Sequence, residues 1–364
     1  MLYAKDGLPT LMMLQFIFLL VFISCRMPKT ASWTSPTSSL TTARPPPQVL
    51  RELLHSEMNG TRSTDDGALA SSSPILLPCC YDGLTARLVA RAGFQATFMT
   101  GFGVSAVHGF PDTQLISYQE MQATCLAVAE GLASVALEKG GNPRRPPIPC
   151  IADGDTGYGN AINVQRTVWG YARAGMAGIM IEDQVSPKRC GHVTGKAVVS
   201  EAEALQRVKA AVDARDAIEE LYGPGTGPLI LARTDALRTD GLEAAIYRCQ
   251  SFVDAGADMT FLEAPESIED MKAYCDQVPG PKLANMLEQG STPILPPSEL
   301  KEIGYTMAAY PLTLLSASIK AMQDSLTAIR EGKSTENLIL PFTETKDAVG
   351  FTRYARLEQE YRTD

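Results

Sequence analysis

Acidic side chains recur where short apolar runs end. Asp153 and Asp155 follow Ile148–Ala152, Glu182 and Asp183 follow Gly178–Ile181, Glu263 follows Met259–Leu262, and Asp112 lies in the loop beyond Gln95–Met99. Several strand ends that offer carboxylates to one place repel one another unless a cation stands between them. An all-oxygen set with room for water suits Mg²⁺, with Mn²⁺ as the other fitting ion. Asp153 and Asp155 are two residues apart on what reads as an extended stretch, which points both side chains the same way. A helix cap or a solvated loop accounts for any one of these acids equally well; their recurrence at alternating positions points to a metal.

Other groups at the same chain ends complement them. Thr100-Gly101-Phe102-Gly103 is a small-residue turn whose backbone N–H groups can hold a carboxylate, Arg233 follows Leu229–Ala232, and Asn285 follows Lys282–Ala284. The segment Ser186-Pro187-Lys188-Arg189-Cys190-Gly191-His192 places a thiol outside any apolar run, beside two cations. Neighbouring cations favour an ionisable, reactive sulfur. His192 sits where it can orient the loop or meet substrate, whereas His55 and His108 have no partner motif.

Residues scattered this widely need a scaffold that brings them to one mouth. From Pro74 onward, eight β-rich runs alternate with helical patterns: Ile75–Cys79, Gln95–Met99, Ile148–Ala152, Gly178–Ile181, Leu229–Ala232, Met259–Leu262, Lys282–Ala284 and Tyr305–Ala309. Helical spacing covers Gln119–Lys139, Val164–Ala174, Glu201–Leu221, Leu242–Ala255 and Leu312–Arg330, with Gly93, Gly175 and Gly256 where a C-cap glycine is expected. Eight such units over about 250 residues predict a (β/α)8 TIM barrel, whose strand ends converge on one face. A doubly wound sheet is the runner-up, weakened because no G-x-G-x-x-G follows the first strand. The barrel is assigned to residues 74–331 and a C-terminal extension with a packing helix to 332–364.

Residues 1–73 read as a targeting presequence and disordered linker. Leu11 to Cys25 is apolar except for Gln15 and Ser24, short for a membrane span and close to a signal-peptide core. From Arg26 to Leu50, Ser, Thr and Pro dominate, with Arg26, Lys29 and Arg44, a transit-peptide composition. A bipartite plastid presequence and a start at Met27 with a single organellar transit peptide fit equally, so a plastid or a mitochondrion is expected. A cytoplasmic protein with a non-targeting tail is the third reading. The 364 residues carry a net charge of -9, which argues against a nucleic-acid partner, and no stable membrane insertion of the mature domain is expected. Eight cysteines without a C-x-x-C pair point to a reducing compartment rather than a disulfide framework.

The motifs K-R-C-G-H after E-D-Q, D-G-D-T-G-Y-G-N and A-R-T-D-A resemble the isocitrate lyase/phosphoenolpyruvate mutase superfamily, from about Pro74 to Arg330. The Cys loop resembles the lyase branch; the phosphonate mutases lack that Cys. The resemblance implies a Mg²⁺-dependent barrel with a C-terminal helix swapped between subunits, in a homotetramer. It implies that Asp153 is the main metal ligand, with Asp155, Asp112 and Glu182 ligating directly or through water. It implies a carboxylate-binding turn at Thr100, Gly101 and Phe102, and substrate contacts from Gly191, Arg233, Glu263 and Asn285. Cys190 matches the general acid, with Lys188 and His192 beside it.

Those roles imply a retro-aldol cleavage of a small di- or tricarboxylate, releasing a 2-oxo acid such as pyruvate. Two departures bear on the substrate: Phe98 stands where the 2-methylisocitrate lyases carry Tyr, and Ser316 where they carry Arg. Losing a cation opposite a carboxylate is costly, because charge-assisted pairs are roughly twice as strong as neutral hydrogen bonds. A 2-alkylmalate such as 2,3-dimethylmalate is therefore expected. Oxaloacetate hydrolysis and 2-methylisocitrate cleavage are the alternatives, followed by a phosphonate mutase of the carboxyvinyl-carboxyphosphonate type or a non-catalytic binding protein.

Overall fold

The computed structural model describes residues 44–62, 73–138, 146–189 and 195–363. The apolar run Leu11–Cys25, most of the Ser/Thr/Pro-rich segment, and Cys190, Gly191 and His192 lie outside the described residues.

Eight strands form the sheet: β1 (Ile75–Cys80), β2 (Thr97–Met99), β3 (Cys150–Asp153), β4 (Gly178–Glu182), β5 (Leu229–Thr234), β6 (Met259–Leu262), β7 (Leu283–Asn285) and β8 (Met307–Tyr310). Neighbours pair in parallel in the order β6-β5-β4-β3-β2-β1-β8-β7. A single parallel bridge, Thr260 to Lys282, joins the two ends, with the Thr260 N–H donating to the Pro281 carbonyl at 3.1 Å. This is the nearly closed barrel that the alternation predicts. β3, β4, β5 and β6 are buried along their whole length, as strands covered on both faces must be. Leu77, Ile151, Met180, Leu231, Phe261 and Met307 belong to one interior cluster, so the barrel is packed below its mouth.

The covering helices are α2 (Gly83–Arg91), α3 (Gly101–Val107), α4 (Tyr118–Ala136), α5 (Ala161–Arg173), α6 (Glu201–Tyr222), α7 (Leu237–Asp240), α8 (Leu242–Asp254), α9 (Ile268–Gln277), α10 (Pro297–Ile303) and α11 (Thr313–Arg330). Their starts are chemically marked: Asp82 with Thr85, Ser117 with Glu120 and Asn160 with Asn163 each close a reciprocal capping box. The strands end later than the sequence pattern suggests. Asp153, Glu182, Arg233 and Asn285 are therefore strand residues, held by the ladder itself rather than by loops.

One segment departs from its sequence reading. Residues 46–58, placed there within the presequence and linker, form a helix, α1 (Pro46–Met58), opened by Pro46 and Pro47, which its first turn tolerates. Leu50 and Leu54 are buried with Ile75, Ile151 and Leu229 in the barrel's interior cluster, and a Cβ on Gly178, where β4 begins, would touch Leu50 at 3.4 Å. The helix plugs the barrel floor. Glu57, 2% exposed, pairs with Arg62 at 2.5 Å and with Lys301 on α10, tying it down. Its apolar stripe is hidden in the sequence by the proline and serine content around it. A chain starting at Ser73 is expected to unfold at distinctly lower denaturant than one starting at Arg44, since emptying even one such leucine site costs about 2–5 kcal/mol. Coincident unfolding curves would remove the plug from the fold.

Beyond the barrel, the charged tail contains α12 (Phe342–Ala348) and α13 (Phe351–Glu360), two helices separated at Gly350. The outer face of α11 leaves Met322, Leu326 and Ile329 more than half exposed, and Leu340 and Phe342 continue this apolar surface. No helix among the described residues is long and apolar enough to cross a membrane.

Candidate active site

The mouth of the barrel is organised around the end of β3. Asp153 accepts hydrogen bonds from the Gly101 N–H at 3.2 Å and the Asp155 N–H at 3.0 Å. Gly101 is required by this approach: a Cβ there would lie 2.7 Å from the Asp153 carboxylate. Asp155 has φ of +48°, in the left-handed region. The two carboxylates therefore converge through a tight turn, not through strand alternation as the sequence reading had it. Such a backbone costs on the order of 1–3 kcal/mol and persists only where its surroundings fix it. Burial raises the Asp155 carboxyl to about 6; Lys188 opposes this, while Asp153 and Asp112 add to it.

Lys188 is the centre of this cluster. Its Nζ lies 2.6 Å from Asp155, 3.0 Å from Asp112 and 3.8 Å from Asp153, and the residue is buried. Burial works against its charge, but Asp153, Asp155, Asp112 and Glu182 outweigh it and hold the ammonium well above the usual lysine range. Sequence reasoning paired Lys188 with Cys190; its side chain instead neutralises the acids. Gln114 fixes its backbone: Oε1 accepts from the Lys188 N–H at 2.8 Å and the Ser186 hydroxyl at 3.0 Å, while Nε2 donates to the Thr156 hydroxyl at 2.9 Å. Gln184 likewise accepts from the Arg189 N–H at 3.0 Å.

The chemistry of this donor set fits a hard divalent cation. Glu182 is 1% exposed, yet neither of its carboxylate oxygens accepts a hydrogen bond. Burial pushes its carboxyl well up, opposed by Arg233 and Lys188. Four buried carboxylates from three loops and strand ends thus face a small volume, as an ion that keeps part of its water shell requires. No ready-made cage of three or more carboxylate, imidazole or thiolate groups exists among the described residues. The Lys188 ammonium stands where these acids meet.

Across the mouth, β5 supplies Arg233. Its guanidinium pairs with Asp235 through Nε at 2.8 Å and a second nitrogen at 3.1 Å, with Glu263 at 3.3 Å and with Glu182 at 3.4 Å, and it lies over the Phe261 ring at 5.2 Å. Asp235 also binds Lys196 at 2.8 Å; despite burial, Arg233 and Lys196 keep its carboxyl well below the usual carboxylate range. Asn285, ending β7, donates to Glu263 at 3.4 Å. Asp183 faces away from the mouth, binding the Thr234 hydroxyl at 2.6 Å, the Asp235 N–H at 2.9 Å and Arg248 at 3.1 Å; its role is to brace β5.

These groups border a cavity of about 600 Å³ including its open mouth. Thr100, Asp112, Asp153, Lys188, Arg233, Glu263 and Asn285 form its polar side, and Phe98 and Phe102 also line it. Leu287, Pro311 and Leu312 form an apolar wall on the β7–β8 side. Thr100 caps α3, and the turn's Gly101 N–H is already committed to Asp153, so fewer donors are open to a ligand than the bare sequence suggests. Ser316 is exposed on α11 and does not line the cavity. Sequence reasoning gave no role to Gln114, Asp235 or Lys196. Asp235 stands inside the quoted A-R-T-D-A motif, which was a usable signal; nothing in the sequence marks Gln114.

The phosphoenolpyruvate phosphomutase family profile matches residues 67–330, covering the whole barrel. The chain belongs to that family. It is 39% identical to the 2,3-dimethylmalate lyase of Eubacterium barkeri over 81% of this chain and 96% of the relative. It is 38% identical to the chloroplastic carboxyvinyl-carboxyphosphonate phosphorylmutase of Arabidopsis thaliana over 79% of this chain and 80% of the relative. Among solved structures, an oxaloacetate acetylhydrolase in complex with 3,3-difluorooxalacetate superposes with a TM-score of 0.73, at 32% identity, over 87% of this chain and 98% of that one.

Proposed function

We propose that this chain, a carbon–carbon lyase of its family, is Mg²⁺-dependent and cleaves a 2-hydroxy dicarboxylate of the 2-alkylmalate type, 2,3-dimethylmalate above others. One observation carries the choice: the cavity sets an acid cluster and two cations against an apolar wall. Lys188 and Arg233 are the cations among the described residues lining it. Two carboxylates are matched by two cations, and the wall of Leu287, Pro311 and Leu312 suits alkyl substituents. A third carboxylate would be buried against apolar groups, at a cost that no further cation among the described lining residues offsets.

Asp153 would hold the ion directly, with Asp155, Asp112 and Glu182 completing its shell directly or through water. When bound, the ion supplies electrostatic stabilisation to the oxygen that gains negative charge. The chain's own groups do the rest. Thr100, Gly101 and Phe102 position one carboxylate of the substrate. The C2–C3 bond breaks as the C2 hydroxyl gives up its proton; Phe98 offers no hydroxyl to take it, so a carboxylate at the mouth accepts it. The electron pair passes to C3, next to the second carboxylate, where Arg233, oriented by Asp235, balances the charge. Glu263 and Asn285 border the same end. Cys190 then protonates C3, with Gly191 and His192 beside it; the motif supports this role, since these residues lie outside the described ones. Cys190→Ser is expected to lower turnover by about 10²–10⁴-fold, the usual worth of a positioned acid, without weakening Mn²⁺ binding. Unchanged turnover would remove the thiol from the mechanism.

The deciding experiment compares 2-oxo-acid release from 2,3-dimethylmalate, 2-methylisocitrate and isocitrate, and oxaloacetate loss by its own absorbance, using a chain from Arg44 with Mg²⁺. The largest kcat/KM on 2,3-dimethylmalate is expected. A preference for oxaloacetate, which the likeness to the acetylhydrolase makes the second reading, would assign a hydrolase instead. A preference for 2-methylisocitrate would mean that another cation meets the third carboxylate. Conversion of a phosphonate alone would make the chain a mutase.

The exposed apolar face of α11 and the 338–342 segment supports subunit contact, and we propose a homotetramer with helix exchange. The leader composition supports import into a plastid or mitochondrion.

A further inference from the structure

We infer that Lys188 and the divalent ion compete for one place: the ammonium is the site's own countercharge before the ion arrives, and ion binding requires it to leave Asp112 and Asp155. This rests on the metal reading above. An ion bound directly by these carboxylates sits about 2.1 Å from their oxygens. The Lys188 Nζ is 2.6 Å from one oxygen of Asp155 and 3.0 Å from Asp112, so it fills the space that the ion, or the waters linking it to these two acids, would need.

The lysine is aimed at this place by built structure. Its backbone N–H is held by Gln114, whose own φ of +55° is left-handed, and that side chain also binds Thr156 beside Asp155. Lys188 is 4% exposed, so it has no alternative partner in solvent while it stays there. Without it, four buried carboxylates would face one another with, among the described residues of the cavity, Arg233 alone to offset them, itself already shared among Asp235, Glu263 and Glu182. Displacement has a use. Lys188 lines the substrate cavity, so an ammonium released by the ion is left beside it for a substrate carboxylate. Ion binding then precedes productive substrate binding.

The test is Mn²⁺ alone titrated into the full chain, with free Mn²⁺ read by electron paramagnetic resonance and Asp153→Ala as the control lacking the site. Lys188→Met is expected to bind Mn²⁺ at least tenfold more tightly than wild type, and Lys188→Arg no more tightly. Equal or weaker binding by Lys188→Met overturns the competition while leaving the metal site standing. Wild type that takes up no Mn²⁺, or Asp153→Ala that binds it as well, overturns the metal reading and the competition with it. Should Lys188→Met fail to fold, wild type answers alone. Reductive methylation of Lys188, read by peptide mass, is expected to be several-fold faster with Mn²⁺ than without. Equal protection at saturating Mn²⁺ overturns the inference.

Discussion

Asp153→Ala is expected to lower turnover by at least about 10³-fold and to abolish Mn²⁺ binding, while far-ultraviolet circular dichroism stays unchanged. A bound ion contributes several kcal/mol of charge stabilisation in the transition state, and each 1.36 kcal/mol is tenfold in rate. Asp153 is fixed from two sides, by the N–H groups of Gly101 and Asp155, a position that none of the other three acids of the cluster occupies. Its removal also relieves repulsion with Asp112 and Asp155, which protects the fold from the loss of those two hydrogen bonds. Full activity of the variant, or of wild type in chelator, would sink the metal role entirely.

Arg233→Met is expected to fail in a different way, losing both activity and stability. The guanidinium is the shared partner of Asp235, Glu263 and Glu182, all buried. Breaking a buried pair by removing one partner costs about 3–5 kcal/mol, because the other charge is left uncompensated. Lys196 remains to Asp235, whereas the buried Glu182 side chain is left without this cation. Denaturant unfolding should show the loss directly, and kcat/KM should fall at least about 10²-fold with the substrate carboxylate unmatched. Arg233→Lys should recover part of the stability and little of the activity, since a point charge cannot reproduce the two-pronged grip on Asp235. Unfolding curves that coincide with wild type would show that these acids are neutral when buried and need no counterion.

Much of this site was legible because a barrel gathers strand ends, and strand ends are marked by the change from apolar to polar or charged residues. Asp153, Glu182, Arg233, Glu263 and Asn285 were found that way, and the structure brings all five to one mouth. What escaped the sequence depends on single backbone angles or on contacts between remote segments. The left-handed turn at Asp155 is one such case: alternation gave the right convergence for the wrong reason. Lys188 is another, since its neighbours in the chain point to a thiol while its neighbours in space are acids. Gln114, 74 residues before Lys188, carries no local signal for the bond it makes. The helix at 46–58 was obscured by composition, because proline at its start reads as linker until the leucines behind it are seen to be buried.

That helix also bears on maturation. A peptidase that strips a leader from this chain has to cut ahead of Pro46, because a cut after Met58 would discard the plug and open the barrel floor to water. Pro45, Pro46 and Pro47 stand at that limit, and a run of prolines resists further trimming by most aminopeptidases. If the leader proposed above is removed, the amino terminus that remains is bounded by a helix that must be kept.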